Sequence, residues 1–350
     1  VISYALPGVG LSSVDDTGRV MGTAESWRVA CDSMLAECSV AGISLADALL
    51  LLHASPGDDI EDASLRVGSC PECGAYAPGA EAIGFVGRHG GGCRSCGAVL
   101  LLADHLGVDD LLATYGRENA LNLVMDFTER LALVATIESV RRRGLDVLAE
   151  TAIVVDGPLS ALWTSERMVR PILAYLDDVS TELERAGLGP LLLVGVEKTG
   201  QDVEHAAVVS ELIEPGHVMK LPTDYIGTHV TGRTGRPGVY GKDNFYGRRF
   251  FYRRRDGHIL VVTVPARAGV APWSTNAVSE QWNSYPSLAT TLGLLEELRS
   301  DRFEGAIQPL VWAHQESSLA LSASQALARL SQDQLGIEQN TRLRIKGAWS

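Results

Sequence analysis

No apolar run in this chain is long enough to cross a bilayer. The richest, LADALLLLHA at 45–54, falls short of the roughly 18–20 residues a membrane helix needs and is broken by Asp47. The opening VISYALPGVG has neither a basic cluster nor a cleavage signal, so it does not read as a secretory leader. Basic residues are in deficit, with 30 Lys and Arg against 43 Asp and Glu, and a formal charge of −13 argues against a general binder of polyanions. Internal repeats and low-complexity tracts are missing too. What remains is a chain of 350 residues, 46% hydrophobic, with 36 Gly and 14 Pro. That is enough to bury one large core or two ordinary ones and excludes a disordered or fibrous polymer. The expectation is a cytoplasmic protein with no membrane association.

Cysteine is scarce, but its placement is informative. Four of the six fall in CPEC (Cys70, Cys73) and CRSC (Cys93, Cys96), with nineteen residues between the pairs. Two such hooks around a glycine-rich stretch fit a zinc ribbon, each hook bending so that both thiolates face one ion. Gly74 and Gly97 directly follow the hooks and suit the turn. Two disulfides are the alternative, and they need an oxidising compartment. With four sulfurs no coordination position is left for water, so the ion is expected to be structural. Cys31 and Cys38 read as buried thiols, and His89 as a surface residue.

The rest of the chain alternates helical and strand patterns, an α/β arrangement. AESWRVACDSMLAEC and SLADALLLLHA have helical spacing, the second with Ser44 as N-cap. A long helix is predicted from about 118 to 143, ending in Arg141, Arg142 and Arg143. TAIVVDGPL and GPLLLVGVEKTG read as buried strands separated by the helix SERMVRPILAYLDDVSTELERAG. RRFFYRR and HILVVTVPA read as a hairpin turning at Asp256-Gly257.

Two carboxylates stand out. Asp156 ends an apolar strand, where α/β folds expose ligands, and reads either as a ligand group or as a plain strand-to-turn Asp. Glu138 continues the apolar stripe Phe127, Leu131, Val134 on the long helix; it is either at the helix surface or aimed at something cationic. Were the two to converge, a divalent cation bound through oxygen would hold them together. Lys198, after the next strand, either adds an ammonium at that edge or is an ordinary surface lysine. From 233 to 255 run eight basic residues against one acid, interleaved with Phe245, Tyr246, Phe250, Phe251 and Tyr252. Arg233, Arg236, Lys242, Arg248, Arg249 and Arg253 are candidates for gripping phosphates while rings stack bases. Alternatively the rings face the core and the arginines are solvated.

In order, the helix with Glu138, VVDGPLS, LLLVGVEKTG, LPTDYIG, GKDNFYGRRFFYRR and IQPLVWAHQESSLAL resemble the NurA nuclease family over about 115–335. The resemblance implies an RNase H-like mixed-sheet nuclease core with helices, interrupted by the inserted zinc ribbon. The expected divisions are 1–66 and 104–350 for the core and 67–103 for the ribbon. It implies a homodimer that cuts DNA with Mn²⁺ or Mg²⁺ beside a HerA-type hexameric ATPase, in end processing or defence against phage. Glu138 and Asp156 would be metal ligands, and His314 a catalytic or DNA-contacting residue. The other reading is an inactive nuclease-like subunit that binds DNA and regulates the translocase.

Overall fold

The computed structural model describes residues 12–54, 59–77, 81–108, 120–161, 165–222, 225–230, 244–272, 278, 281–300 and 306–317. The first part is helical around a small sheet. Helix α1 (Thr23–Glu37) leads through a hairpin, β1 (Ser39–Val40) and β2 (Ile43–Ser44), into α2 (Leu45–Leu51). Ser44 caps α2 as its sequence predicts. Its hydroxyl accepts the Asp47 N–H at 2.9 Å, and its own N–H donates to the Asp47 carboxylate at 3.4 Å, a reciprocal capping box. Next come β3 (Ser64–Val67), β4 (Gly84–Gly87), β5 (Gly90–Cys93) and β6 (Val99–Leu100), an antiparallel sheet in sequence order, and then α3 (Leu102–Leu106).

The second part is mixed α/β. It contains α4 (Ala120–Arg141), α5 (Leu145–Ala149), β7 (Ala152–Asp156), α6 (Ser165–Arg185), β8 (Leu192–Glu197) and α7 (Gln201–Val209). It continues through β9 (Val218–Lys220), β10 (Arg248–Arg253), β11 (Ile259–Val264), α8 (Leu288–Glu297) and α9 (Gln308–Ser317). The strand order is β7-β8-β11-β10-β9. β7 and β8 run parallel, joined by α6, and every other neighbour is antiparallel. The predicted hairpin is β10–β11, with Gly257 at φ +90° in its turn.

Side-chain alternation gives the sheet two apolar faces. Ile153, Val155 and Leu193 point to a layer with Phe127 and Leu131 of α4 and Ile172 and Leu176 of α6. Val194, Val196, Phe250, Val262 and Val264 point the other way, onto Leu288, Leu292 and Leu295 of α8 and Leu310 of α9. A third cluster joins Phe251 and Val261 to Ala206 of α7.

Two expectations change. β7 reads as a buried strand, but among the described residues it lies at the edge of the sheet, with Val154 and Val155 only half-buried. The β-branched run reflects a strand covered on its faces by helices, which a fully buried strand shares. The ribbon sheet begins at Ser64, before residue 67, and it is not a pendant insertion. Leu65, Val67, Val86 and Leu100 belong to one apolar cluster with Trp27, Leu35 and Leu49 and with α4. The described residues before 67 build this unit, and none of them joins the five-stranded sheet. VISYALPGVGL, which has the pattern of a short strand, and SASQALARLSQDQLG, which has that of a helix, lie outside the described residues.

Candidate metal centre and carboxylate edge

The four cysteines come together. Their sulfurs all lie within 4.8 Å of one another, with Cys70 and Cys96 3.8 Å apart and Cys73 and Cys93 4.0 Å apart. A tetrahedral zinc with sulfurs at about 2.3 Å spaces them about 3.8 Å from each other, so the donor set fits the ion. The two hooks are built alike. Gly74 N–H donates to the Cys70 carbonyl at 3.0 Å, and Gly97 N–H to the Cys93 carbonyl at 2.8 Å. Both glycines sit at positive φ, +69° and +77°, where a Cβ would be strained. Backbone N–H groups of Cys96 and Ser95 pull the Cys93 thiol down to about 6. At Cys96 a backbone bond from Ala98 has the same sense, but the sulfurs of Cys73, Cys93 and Cys70 outweigh it and push the thiol up to about 12. Four thiolates at this spacing repel one another, and a divalent cation removes the conflict. His89 is a surface residue, its side chain 84% exposed, as expected.

At the far end of β7, Asp156 is 45% exposed and accepts a hydrogen bond from Lys198 Nζ at 3.1 Å. Glu129 of α4 stands at the same edge. Burial raises its carboxyl above the ordinary value, Arg130 opposes this, and the charges of Asp126 and Asp156 push it further up. Arg130 pairs with Glu129 at 3.4 Å and Asp126 at 3.7 Å, both arginine and Asp126 being buried. Beneath them lies Tyr246, whose phenol burial pushes up to about 12. The chain after Asp156 folds back across the sheet. Leu159 carbonyl accepts the Tyr246 N–H at 2.9 Å, and Ala161 N–H donates to the Asn244 carbonyl at 2.8 Å. Room for this loop comes from Gly195 in β8, where a Cβ would lie 2.5 Å from the Gly157 carbonyl oxygen.

Glu138 does not join this edge. It is buried, and its oxygens accept from Arg141 at 2.8 Å, Arg142 at 2.9 Å and the Tyr175 hydroxyl at 3.4 Å. Burial would raise its carboxyl, but the two arginines outweigh it and hold it below the ordinary range. Arg141 also reaches Glu182 of α6 at 2.7 Å. Nine residues of helix, about 13 Å, separate it from Glu129. The stripe through Phe127 and Val134 shows which face is buried, but not which acid on the helix lies level with Asp156.

The arginine strip also departs from expectation. Arg249 is buried between Glu197 and Asp202, at 2.7 Å from each, with its guanidinium over Phe245 at 4.7 Å. Arg248 is buried and donates to the Pro272 carbonyl at 3.0 Å. Arg253 donates to the Ile213 carbonyl at 3.0 Å and pairs with Glu211 at 3.1 Å. These three hold the hairpin to its neighbours and are not laid out for phosphates. Phe250 and Phe251 are core on opposite faces. Arg233, Arg236 and Lys242 lie outside the described residues. His314 falls on α9, which packs against β7, but its side chain lies outside the described residues. Glu129, Asp126 and the Glu197–Arg249–Asp202 triad are not singled out by sequence. Glu129 sits in an unremarked Glu-Arg pair, and the triad joins residues far apart in the chain.

Comparison with protein-family models, with curated proteins and with solved structures returns no match. Among the described residues no helix is long and apolar enough to cross a membrane.

Proposed function

We propose that the protein is a divalent-metal-dependent DNA nuclease working at the exposed end of β7, with Asp156 and Glu129 as its acidic pair. The observation that carries this is the edge itself. Asp156 at 45%, Glu129 at 53% and Lys198 at 35% side-chain exposure are open to solvent, Lys198 lies 3.1 Å from Asp156, and the charge of Asp156 helps raise the Glu129 carboxyl. Glu138 by contrast is only 4% exposed and is already bound by Arg141 and Arg142. Mg²⁺ and Mn²⁺ are commonly held by one or two carboxylates with water and substrate phosphate filling the rest, which suits two acids. Such an ion, when bound, lowers the pKa of water and offsets charge on the reacting phosphate. Asp156 and Glu129 would hold it, Arg130 keeps Glu129 in place, and Lys198 is placed to receive a phosphate oxygen once a cation takes over Asp156. The mixed sheet is compatible with an RNase H-like core, and the ordered motifs from VVDGPLS to WAHQESS support NurA-like chemistry. A homodimer and a HerA-type ATPase belong to the same proposal.

The decisive experiment incubates linear and single-stranded DNA with the protein and Mn²⁺ or Mg²⁺. Asp156→Ala and Glu129→Ala should each lower cleavage by at least about 100-fold, since even residues behind a metal ligand are worth 10–100-fold. Glu138→Ala should keep the cleavage rate per folded molecule and lose stability instead. Full activity in D156A would refute the assignment. One observation favours the scaffold reading: among the described residues, no three carboxylates or imidazoles lie close enough to share an ion. That reading expects DNA or ATPase binding with no cleavage in any metal.

A further inference from the structure

The two hooks are not equally sheltered. Cys70 and Cys93 are buried in the apolar cluster, whereas Cys73 and Cys96 are exposed. The exposed pair lines an open cavity of about 570 Å³ whose walls include Arg28, Glu25, Glu72 and Val99. That is ample space for a small molecule to reach sulfur. The wall carries two carboxylates against one guanidinium, and that guanidinium is already bound by Asp104 and the Val99 carbonyl. A neutral reagent is therefore admitted more readily than an anion. Sulfur bound to zinc is held as thiolate, the nucleophilic form. By contrast Cys31 is buried, where a reagent in solvent does not reach it.

From this arrangement we propose that Cys73 and Cys96 form an oxidation site for hydrogen peroxide, through which the ribbon loses its metal and the surrounding helices lose their support. In the first step the Cys96 thiolate attacks a peroxide oxygen. An S–O bond forms, the O–O bond breaks, and the departing hydroxide takes up a proton as water, leaving a sulfenic acid. Cys70, whose sulfur is 3.8 Å away, then attacks the oxidised sulfur. The S–S bond forms, the S–O bond breaks, and a second hydroxide leaves and is protonated. Two thiolates, one peroxide and two protons thus give one disulfide and two waters. Cys73 and Cys93, 4.0 Å apart, are placed for the same reaction. Both bridges join hook to hook, and a site stripped of two sulfurs no longer holds zinc. Because Cys70 and Cys93 pack in one cluster with Trp27, Leu35 and Leu49, the loss reaches α1 and α2. The inference rests on the metal reading of the four sulfurs and is independent of the nuclease proposal.

The test uses the full zinc-loaded chain and graded hydrogen peroxide. Zinc release is followed with a chromophoric chelator, helicity by circular dichroism, and cysteine state by alkylation and peptide mass mapping. Expected are zinc release in step with a bridge between the 70–73 and 93–96 peptides, a drop in helical signal, and recovery on adding reductant and zinc. Cys31 and Cys38 should stay as thiols throughout. Zinc retained at peroxide levels that fully oxidise glutathione would overturn the proposal. So would oxidation that starts at Cys31 or Cys38, or a purified chain that holds no zinc.

Discussion

Gly195 decides where the Asp156 loop can go. Its missing side chain lets the Gly157 carbonyl approach to where a Cβ would be 2.5 Å away, with Leu159 N at 2.9 Å. Both obstacles are backbone and have no rotamer to yield. Gly195→Ala should therefore push the loop off the sheet, costing about 1–3 kcal/mol as overpacking does. It should also impair cleavage, although no charged group is touched. Urea denaturation measures the first effect and the DNA assay the second; an unchanged midpoint would show that the loop has another way to sit. At this scale the sequence was partly legible. The hooks were read correctly because metal ligation needs fixed residue types at short spacing. Asp156 does end its strand, as the Asp-Gly pair predicts. Which acid of α4 lies level with it was not legible, since that depends on how far along the helix its neighbour lies.

Among elements, the turn just after α2 sets His53 against His105 of α3, a titratable pair. His105 Nδ1–H donates to the Arg66 carbonyl of β3 at 2.8 Å, so its Nε2 is left to accept from His53 Nε2–H at 3.2 Å. A proton on His105 would set two N–H groups against each other. Burial holds His53 down at about 4; at His105 burial, the neighbouring His53 and the nearby Arg167 and Arg66 hold it at about 3. With both folded-state values below the ordinary 6.5, the unfolded chain binds more protons under that pH. Their contribution to stability is full above about 6.5 and falls continuously as pH drops through about 4 for His53 and about 3 for His105. Imidazole resonances of the folded protein should show both rings still neutral at about pH 5, and ring titration near 6.5 would contradict the buried geometry. Helices with apolar stripes, the β10–β11 hairpin and the β7-α6-β8 unit were all readable, because their signals are periodic and local. The short strand β9 and the place of β7 at the edge of the described sheet were not. Strand order is set by which pairs meet, and a run of three to five residues carries no record of that.

In the whole molecule, the ribbon and the sheet share one core. A single cluster runs from Leu65 and Leu100 in the ribbon through Trp27 and Leu49 to Phe127 of α4 and Leu193 of β8. A pendant ribbon could be stripped of metal with little effect elsewhere, but this one is part of the wall against which α4 packs. Removing zinc with phenanthroline should therefore lower the helical signal at 222 nm, although the ribbon strands themselves contain no helix, and zinc should restore it. An unaltered spectrum in the metal-free chain would mean that packing alone maintains the unit. Composition marks where the hooks are, while a core is defined by which side chains exclude water together, so the shared cluster was not legible in the sequence.

The hooks close over nineteen residues, and both they and the Arg28–Asp104 pair precede every described strand of the larger sheet in sequence. A nascent chain can thus finish its first layer while β7 and β8 are still inside the ribosome. Parallel pairing is slow and exposes sticky surface while it waits. Here it would proceed against a template already assembled, so metal supply during synthesis bears on the yield of the entire polypeptide.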